Sequence, residues 1–299
     1  MASEIGFALA GLIVLLWGVY GVLQKRIVHR LGEYMCMFLS HAAATLLLVV
    51  TGLFMVTWKL PQNFTSAVIL VMALLAVTGF YLMHRAINLG GISVVAVCLA
   101  SGVLFSTVLS WVLFDVKPEL LNFIAIPILV IGVLFSMVRV FKLPKRLEWG
   151  AVEAFFKGES VEKASMVAIV AGALFGFYRL AFFFTAKDIG THRTIIYSAI
   201  VMFIFLLFPF LGKSVKQLFN RPKDDDWRWL GISVGSYGVA AVTFFFALTK
   251  LKIDEALGIV IFFPAIAILL AITLQKERYK LWQYLGFLLA VMGYVMILL

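Results

Sequence analysis

The sequence predicts an all-α membrane protein of ten transmembrane helices, and three observations predict it. Of the 299 residues, 64% are hydrophobic and 13% charged, against about 45–50% and about 25% in ordinary soluble domains. Such a chain has too little polar surface to cover itself in water, and bilayer is the solvent that fits. Ten apolar stretches reach or approach the roughly 20 residues a helix needs to cross hydrocarbon, and together they use almost the whole chain. Finally, the sequence repeats itself across its middle.

In chain order the expected spans are Ile5 to Leu23, Tyr34 to Thr57, Ala67 to Met83, Gly91 to Phe114 and Leu120 to Val138. Ala164 to Thr185, Ile195 to Leu211, Trp229 to Leu248, Ala256 to Leu274 and Leu281 to Leu299 follow. The opening Met1-Ala2-Ser3-Glu4 has no basic n-region and the first apolar run is long enough to span, so a cleavable leader is not expected. Cys36 and Cys98 fall inside apolar runs, where thiols act as packing residues. The longest connection, Arg139 to Lys163, contains Leu147 to Phe156, which reads equally well as a short interfacial amphipathic helix or a solvated linker. The run Asp224-Asp225-Asp226 lacks the spacing of a cation cage and reads as solvated.

Shifting the chain by 161 residues brings Gly11 onto Gly172, Ala86 onto Ala247, Leu120 onto Leu281 and Gly132 onto Gly293. It also sets Trp17-Gly18 against Tyr178-Arg179. Residues 1–139 and 164–299 then form two five-helix repeats, joined by 140–163. An odd helix count inserts the second repeat from the opposite side, and inverted repeats of this kind place a substrate site near the bilayer midplane between the halves.

The formal charge of +10 does not point to nucleic acid, because the basic residues sit in short loops between apolar runs. The side that faces the connections after the first, third, fifth, seventh and ninth spans holds 18 Lys and Arg, and the other side 6. The positive-inside rule would place the richer side in the cytoplasm and both termini outside.

The sequence resembles the drug/metabolite transporter superfamily, in its ten-helix members built from two EamA-type halves. The likeness covers the whole chain. It is carried by Leu15-Leu16-Trp17-Gly18, the short hairpin Ala86 to Gly91, Asp115 after the fourth span, Ala247-Leu248 before a tight hairpin, Pro264 and Glu277 around the ninth span, and the closing glycines Gly132 and Gly293. Val103 stands where the first-half counterpart of Pro264 would be, and Asp115 where the family usually has Gly-Glu. The resemblance implies a plasma- or inner-membrane secondary transporter, a central cavity lined by helices one, three, four, six, eight and nine, peripheral helices five and ten, and alternating access by rocking of the halves. It also implies cytoplasmic termini, against the charge rule.

Ionisable groups inside a membrane are costly and usually face a cavity or a partner. Arg179, six residues before the expected end of its span, reads either as a cavity cation for a carboxylate or phosphate or as a residue snorkelling to the interface. Trp17 and Tyr178, matched by the repeat, read as pocket walls or as packing. Tyr81, His84 and Arg85 lie near the expected end of the third span, at a rim or an interface. His41 is a candidate for proton coupling, or donates to a backbone carbonyl. Tyr20, Gln24 and Tyr237 are further polar handles. Apart from Asp254 and Glu255 at the edge of the ninth span, the spans hold no acid after Glu4. That turns the expectation from cationic drugs toward anionic, zwitterionic or neutral metabolites such as amino acids.

No nucleophile–base set, metal-ligand spacing or phosphate-cradling glycine loop appears, so no enzyme, metal or cofactor is expected. Gly172 with Gly176 and Gly231 with Gly235 are expected to let helices approach closely. The expected partners are a small-molecule substrate, membrane lipid and a second copy through the peripheral helices, with no nucleic acid. A lipid-phosphate flippase with a lateral opening lined by Phe182-Phe183-Phe184 or Phe244-Phe245-Phe246 is the first alternative. A multidrug exporter or a non-transporting receptor is the second.

Overall fold

The computed structural model describes residues 2–90, 92–114, 120–136, 160–209, 224–251, 262–276 and 281–298. These form ten helices: α1 Ala2–Leu31, α2 Glu33–Met55, α3 Asn63–Leu89, α4 Ile92–Phe114, α5 Leu120–Ser136, α6 Ser160–Ile189, α7 Thr191–Leu207, α8 Asp224–Ala247, α9 Phe263–Leu274 and α10 Leu281–Leu298. In hydrocarbon every backbone N–H and C=O must be satisfied within the segment, and the helix is the local way to do it. Five stretches are by themselves long and apolar enough to span, namely Glu4–Leu31, Glu33–Met55, Asn63–Leu89, Lys163–Ile189 and Asp225–Ala247. The 147–156 segment and Asp115, Asp254, Glu255 and Glu277 lie outside the described residues.

Several helices run past the expected spans. The expectation counted apolar residues alone, whereas a helix continues through its polar ends until something breaks it. α1 reaches Leu31 and α6 reaches Ile189. Each stops at a glycine with positive φ, Gly32 at 89° and Gly190 at 86°, a conformation side chains with a Cβ rarely adopt. Each glycine N–H closes the preceding helix, on Val28 O at 2.9 Å and Ala186 O at 3.0 Å. The two turns are therefore the same device.

Packing between helices is two-fold. α1 lies on α8 as α6 lies on α3, α2 on α8 as α7 on α3, and α1 on α9 as α6 on α4. The pairs α2–α7, α4–α9 and α5–α10 map onto themselves. Each half is thus packed mainly on the other, and the core is shared.

The geometry corrects the repeat register. The turns at Gly32 and Gly190 are 158 residues apart, not 161. A Cβ on Gly6 would meet Leu251 and one on Gly90 would meet Ala164, which are mutual images only if α1 pairs with α6 at 158 and α3 with α8 at 161. Likewise Gly18 abuts Ile266 as Gly176 abuts Phe105. The 161 shift holds in the last helices, where Gly132 lies against Ala290 and Gly293 against Leu129. Trp17 is therefore matched by Phe175, and Tyr178 by Tyr20. The pairing of Trp17-Gly18 with Tyr178-Arg179, and of Gly11 with Gly172, was one turn out. The two helices of a hairpin pack independently of loop length, so a three-residue difference between repeats is absorbed at a connection.

Of the small-residue pairs, Gly172 and Gly176 do bring α6 onto the backbone of α4 at Gly102. Gly231 and Gly235 are exposed, and a Cβ at either meets nothing within 4 Å. Among the described residues they bring no neighbour close, because the face of α8 that packs carries Ser233, Tyr237 and Ala240 instead.

Candidate functional site

At the crossing of α1, α2, α3, α6 and α8 the interior is aromatic and polar at once. Tyr20 on α1 packs against Tyr237 on α8 with the rings tilted by 37° and centroids 4.7 Å apart, and its hydroxyl meets His84 Nε2 at 3.0 Å. His84 Nδ1 bonds Phe80 O at 2.7 Å. A carbonyl only accepts, so Nδ1 carries the proton and Nε2 is left to accept from Tyr20. On the other side of the tyrosine pair, the Tyr237 hydroxyl lies 3.2 Å from His41 Nδ1. Phe80 stands edge-on to His41 at 4.3 Å and to Phe175 at 4.9 Å. Gln24, one turn along α1 from Tyr20, donates its amide to Ser233 Oγ at 3.0 Å.

His84 enters this cluster because α3 continues to Leu89, so the residue lies within the helix and is fully buried. Tyr81 and Arg85 do not share its surroundings. Tyr81 is half-buried and Arg85 exposed, since positions three before and one after His84 diverge around the helix by roughly 60° and 100°. The spacing rule alone does not say which member of a same-side group faces inward.

The two-fold also relates parts of the cluster. Tyr20 has Ser40 as a hydrogen-bonding neighbour, and Tyr178 has Ser198, so the same contact recurs in each repeat. Tyr237 neighbours both Tyr20 and Tyr178 and stands between the halves. Phe175 packs on the same core, as does Trp17, which also meets Phe244 and Phe263 at 6.4 and 6.1 Å.

Among the described residues, three buried polar side-chain atoms have no hydrogen-bond partner: Trp17 Nε1, Gln24 Oε1 and His41 Nε2. All three belong to residues of this cluster. Buried polar groups are nearly always paired, and an orphan costs about 1–3 kcal/mol. Each of the three would be met by a complementary polar group brought to it.

Arg179 lies ten residues before Ile189, about 15 Å of rise from the end of α6. Its guanidinium stands 5.7 Å from the Phe183 ring. The two-fold matches it to Gly21, whose Cβ would face Ile92 at the head of α4. Lys25 caps the end of α3, donating to Ile87 O at 2.8 Å and to Gly90 O. Arg26 lies 4.2 Å from the Trp229 ring. The members of each phenylalanine triplet divide between interior and surface. Phe182 and Phe245 are buried while Phe184 and Phe246 are exposed, because consecutive helical residues point about 100° apart.

Sequence reasoning missed the role of Phe80, Phe175 and Ser233 around this site. Only the register of 158 would have set Phe175 opposite Trp17, and no local motif marks the other two.

No curated protein sequence matches the chain. A solved crystal structure matches its fold over 99% of this chain and 94% of its own, at a TM-score of 0.61 and 14% identity. The EamA-like transporter family matches twice, over residues 4–138 and 162–299. The starts of the two matches are 158 apart and their ends 161 apart, as the structure requires. The chain belongs to the EamA-like transporter family, and is an integral membrane transporter of small molecules built from two such repeats.

Proposed function

We propose that the protein is a secondary transporter of a small zwitterionic metabolite of the amino-acid class, bound at the Tyr20–Tyr237 crossing and moved by alternating access. The observation that carries this reading is the trio of unpartnered atoms. Gln24 gives its amide N–H to Ser233 and keeps a bare carbonyl oxygen, which calls for a donor such as an ammonium. The ring faces of Tyr20, Tyr237 and Trp17 favour the same cation. Trp17 Nε1 is a donor only and calls for an acceptor such as a carboxylate. Arg179 is the cation we assign to the substrate carboxylate. His41, whose Nε2 is unpartnered, is the group we assign to proton coupling. The reading places nothing on Tyr81, which we assign to the rim. It takes the termini as cytoplasmic by family analogy and the exposed faces of α5 and α10 as the place for a second copy.

The test is a thermal-shift screen of the purified protein against zwitterionic, anionic and cationic metabolites, run in parallel on Arg179→Ala, Gln24→Leu and Trp17→Phe. Zwitterions should stabilise the wild type, with the response weakened roughly tenfold or more in concentration in each variant, the effect of leaving a buried partner unmet. If cations alone stabilise, or all three variants respond like wild type, the substrate class is wrong.

A further inference from the structure

We propose that Arg30–Asp226 and Thr65–Asp188 are the two matched latches of alternating access, one on each membrane face. Arg30 Nη1 at the end of α1 lies 2.8 Å from Asp226 Oδ1 at the start of α8, the acid being 4% exposed. On the opposite face Thr65, at the start of α3, donates to Asp188 at the end of α6. Adding 158 to Arg30 gives Asp188, and subtracting 161 from Asp226 gives Thr65. These are the registers already established for α1–α6 and for α3–α8. The two contacts are therefore one contact, seen twice across the pseudo-two-fold.

The relation has a mechanical consequence. α1–α8 and α3–α6 are two of the interfaces at which the halves meet. Rocking that opens the face of Arg30 must separate α1 from α8 at that end, and the opposite rocking must separate α3 from α6 at the other. The latches are unequal in chemistry. One is an ion pair with a nearly buried acid, and the other a hydroxyl on a carboxylate. Separating the ion pair takes a charged partner from a nearly buried acid, which is the costlier event. Across the halves the Arg30 face is also tied by Gln275, which donates to Val22 O at 2.7 Å, and the opposite face by Arg193, which donates to Thr57 Oγ1 at 2.7 Å, and Tyr197, which donates to Lys59 O at 2.6 Å. Of the two latches, the Arg30 ion pair is therefore the costlier to open.

This inference rests on the two-repeat transporter reading but not on the substrate, and its test needs no ligand, so its failure is separate from that of the substrate assignment. In a Cys36→Ala, Cys98→Ala background, spin labels at His29 and Asp225 report the Arg30 face. Labels at Phe64 and Lys187 report the other face, and all four positions are exposed and related by the same two-fold. Pulsed dipolar distances on the full chain in nanodiscs are then compared. Arg30→Gln should raise the long-distance fraction of the 29/225 pair roughly fivefold or more, the lower range of conformational coupling, and leave 64/187 short. Asp188→Ala, which removes the acceptor of the Thr65 hydroxyl, should lengthen 64/187 only. Asp226→Glu, which keeps the charge, should hold the wild-type distribution, and Arg30→Asp combined with Asp226→Arg should return toward it. An unchanged 29/225 distribution in a folded Arg30→Gln protein overturns the proposal. So does simultaneous lengthening on both faces, which would mean general loosening and not a latch.

Discussion

Gln24 shows how one residue divides its chemistry between structure and function. Its amide nitrogen ties α1 to Ser233 on α8 at 3.0 Å, while its carbonyl oxygen is buried and unmet. Gln24→Glu would place a carboxylate beside the aromatic rings, attract cations into the cluster and cost stability in the empty protein. A thermal-shift comparison would show a lower Tm without ligand and a new response to cationic metabolites. Tyr20 and His84 form the other kind of pair, with both partners satisfied. Tyr20→Phe removes the hydroxyl and leaves His84 Nε2 bare, so it should cost about 1–3 kcal/mol. Unfolding in mild detergent, followed by tryptophan fluorescence, measures this, and Tyr20→Phe with His84→Leu should recover part of the loss. His41 carries its own prediction. If it couples protons, His41→Gln flattens the pH dependence of uptake into proteoliposomes while leaving ligand stabilisation measurable, and an unaltered pH profile removes it from that role.

Between helices, closeness is decided by which glycines face a backbone. Gly132 lies against Ala290 and Gly286, and Gly293 against Leu129 and Ala125, so α5 and α10 touch main chain to main chain. Leucine at either position has nowhere to go. Gly132→Leu should separate the two helices and destabilise by about 1–3 kcal/mol or more, read as a lower Tm and loss of a cross-link between cysteines placed on α5 and α10. The exposed Gly231 and Gly235 give the reverse expectation. Alanine there meets nothing and lowers the entropy of the unfolded chain, a gain of about 0.4–1 kcal/mol in the same melting assay. Gly32 and Gly190 differ from both, because their positive φ forbids a Cβ without strain whatever the space.

At the scale of the molecule, the halves are not independent. Because α1 packs on α8 and α6 on α3, each repeat buries its inward face on the other. Residues 1–139 expressed alone should expose that face and be degraded or aggregate, while co-expression with 140–299 should restore a complex that co-purifies. A soluble, monodisperse first half would contradict the shared core. The central cluster draws on both halves too, with Tyr20, His41 and His84 from one and Phe175, Tyr178 and Tyr237 from the other. A guest bound there touches both rocking bodies, which is how its binding can bias them.

Composition and hydropathy settle the fold class, because the solvent a chain requires follows from how much polar surface it has, and the count of apolar runs gives the helix count. The repeat is also legible, since two halves under the same packing constraints keep small residues at the same close contacts, Gly132 and Gly293 above all. The intramembrane polar residues could be named for the same reason, as each is costly and few are present. Which of them converge could not be read. His84 and Tyr81 share a face by spacing, yet one is buried and the other flanks it. Trp17 belongs with Phe175 only because a three-residue offset accumulates between helices, and Arg30 meets Asp226 across 196 positions of sequence. Hydrophobicity and helical period act within a segment, where sequence distance and spatial distance agree. Partnership across the pseudo-two-fold is decided by how ten helices pack at once, and that appears only in the tertiary structure.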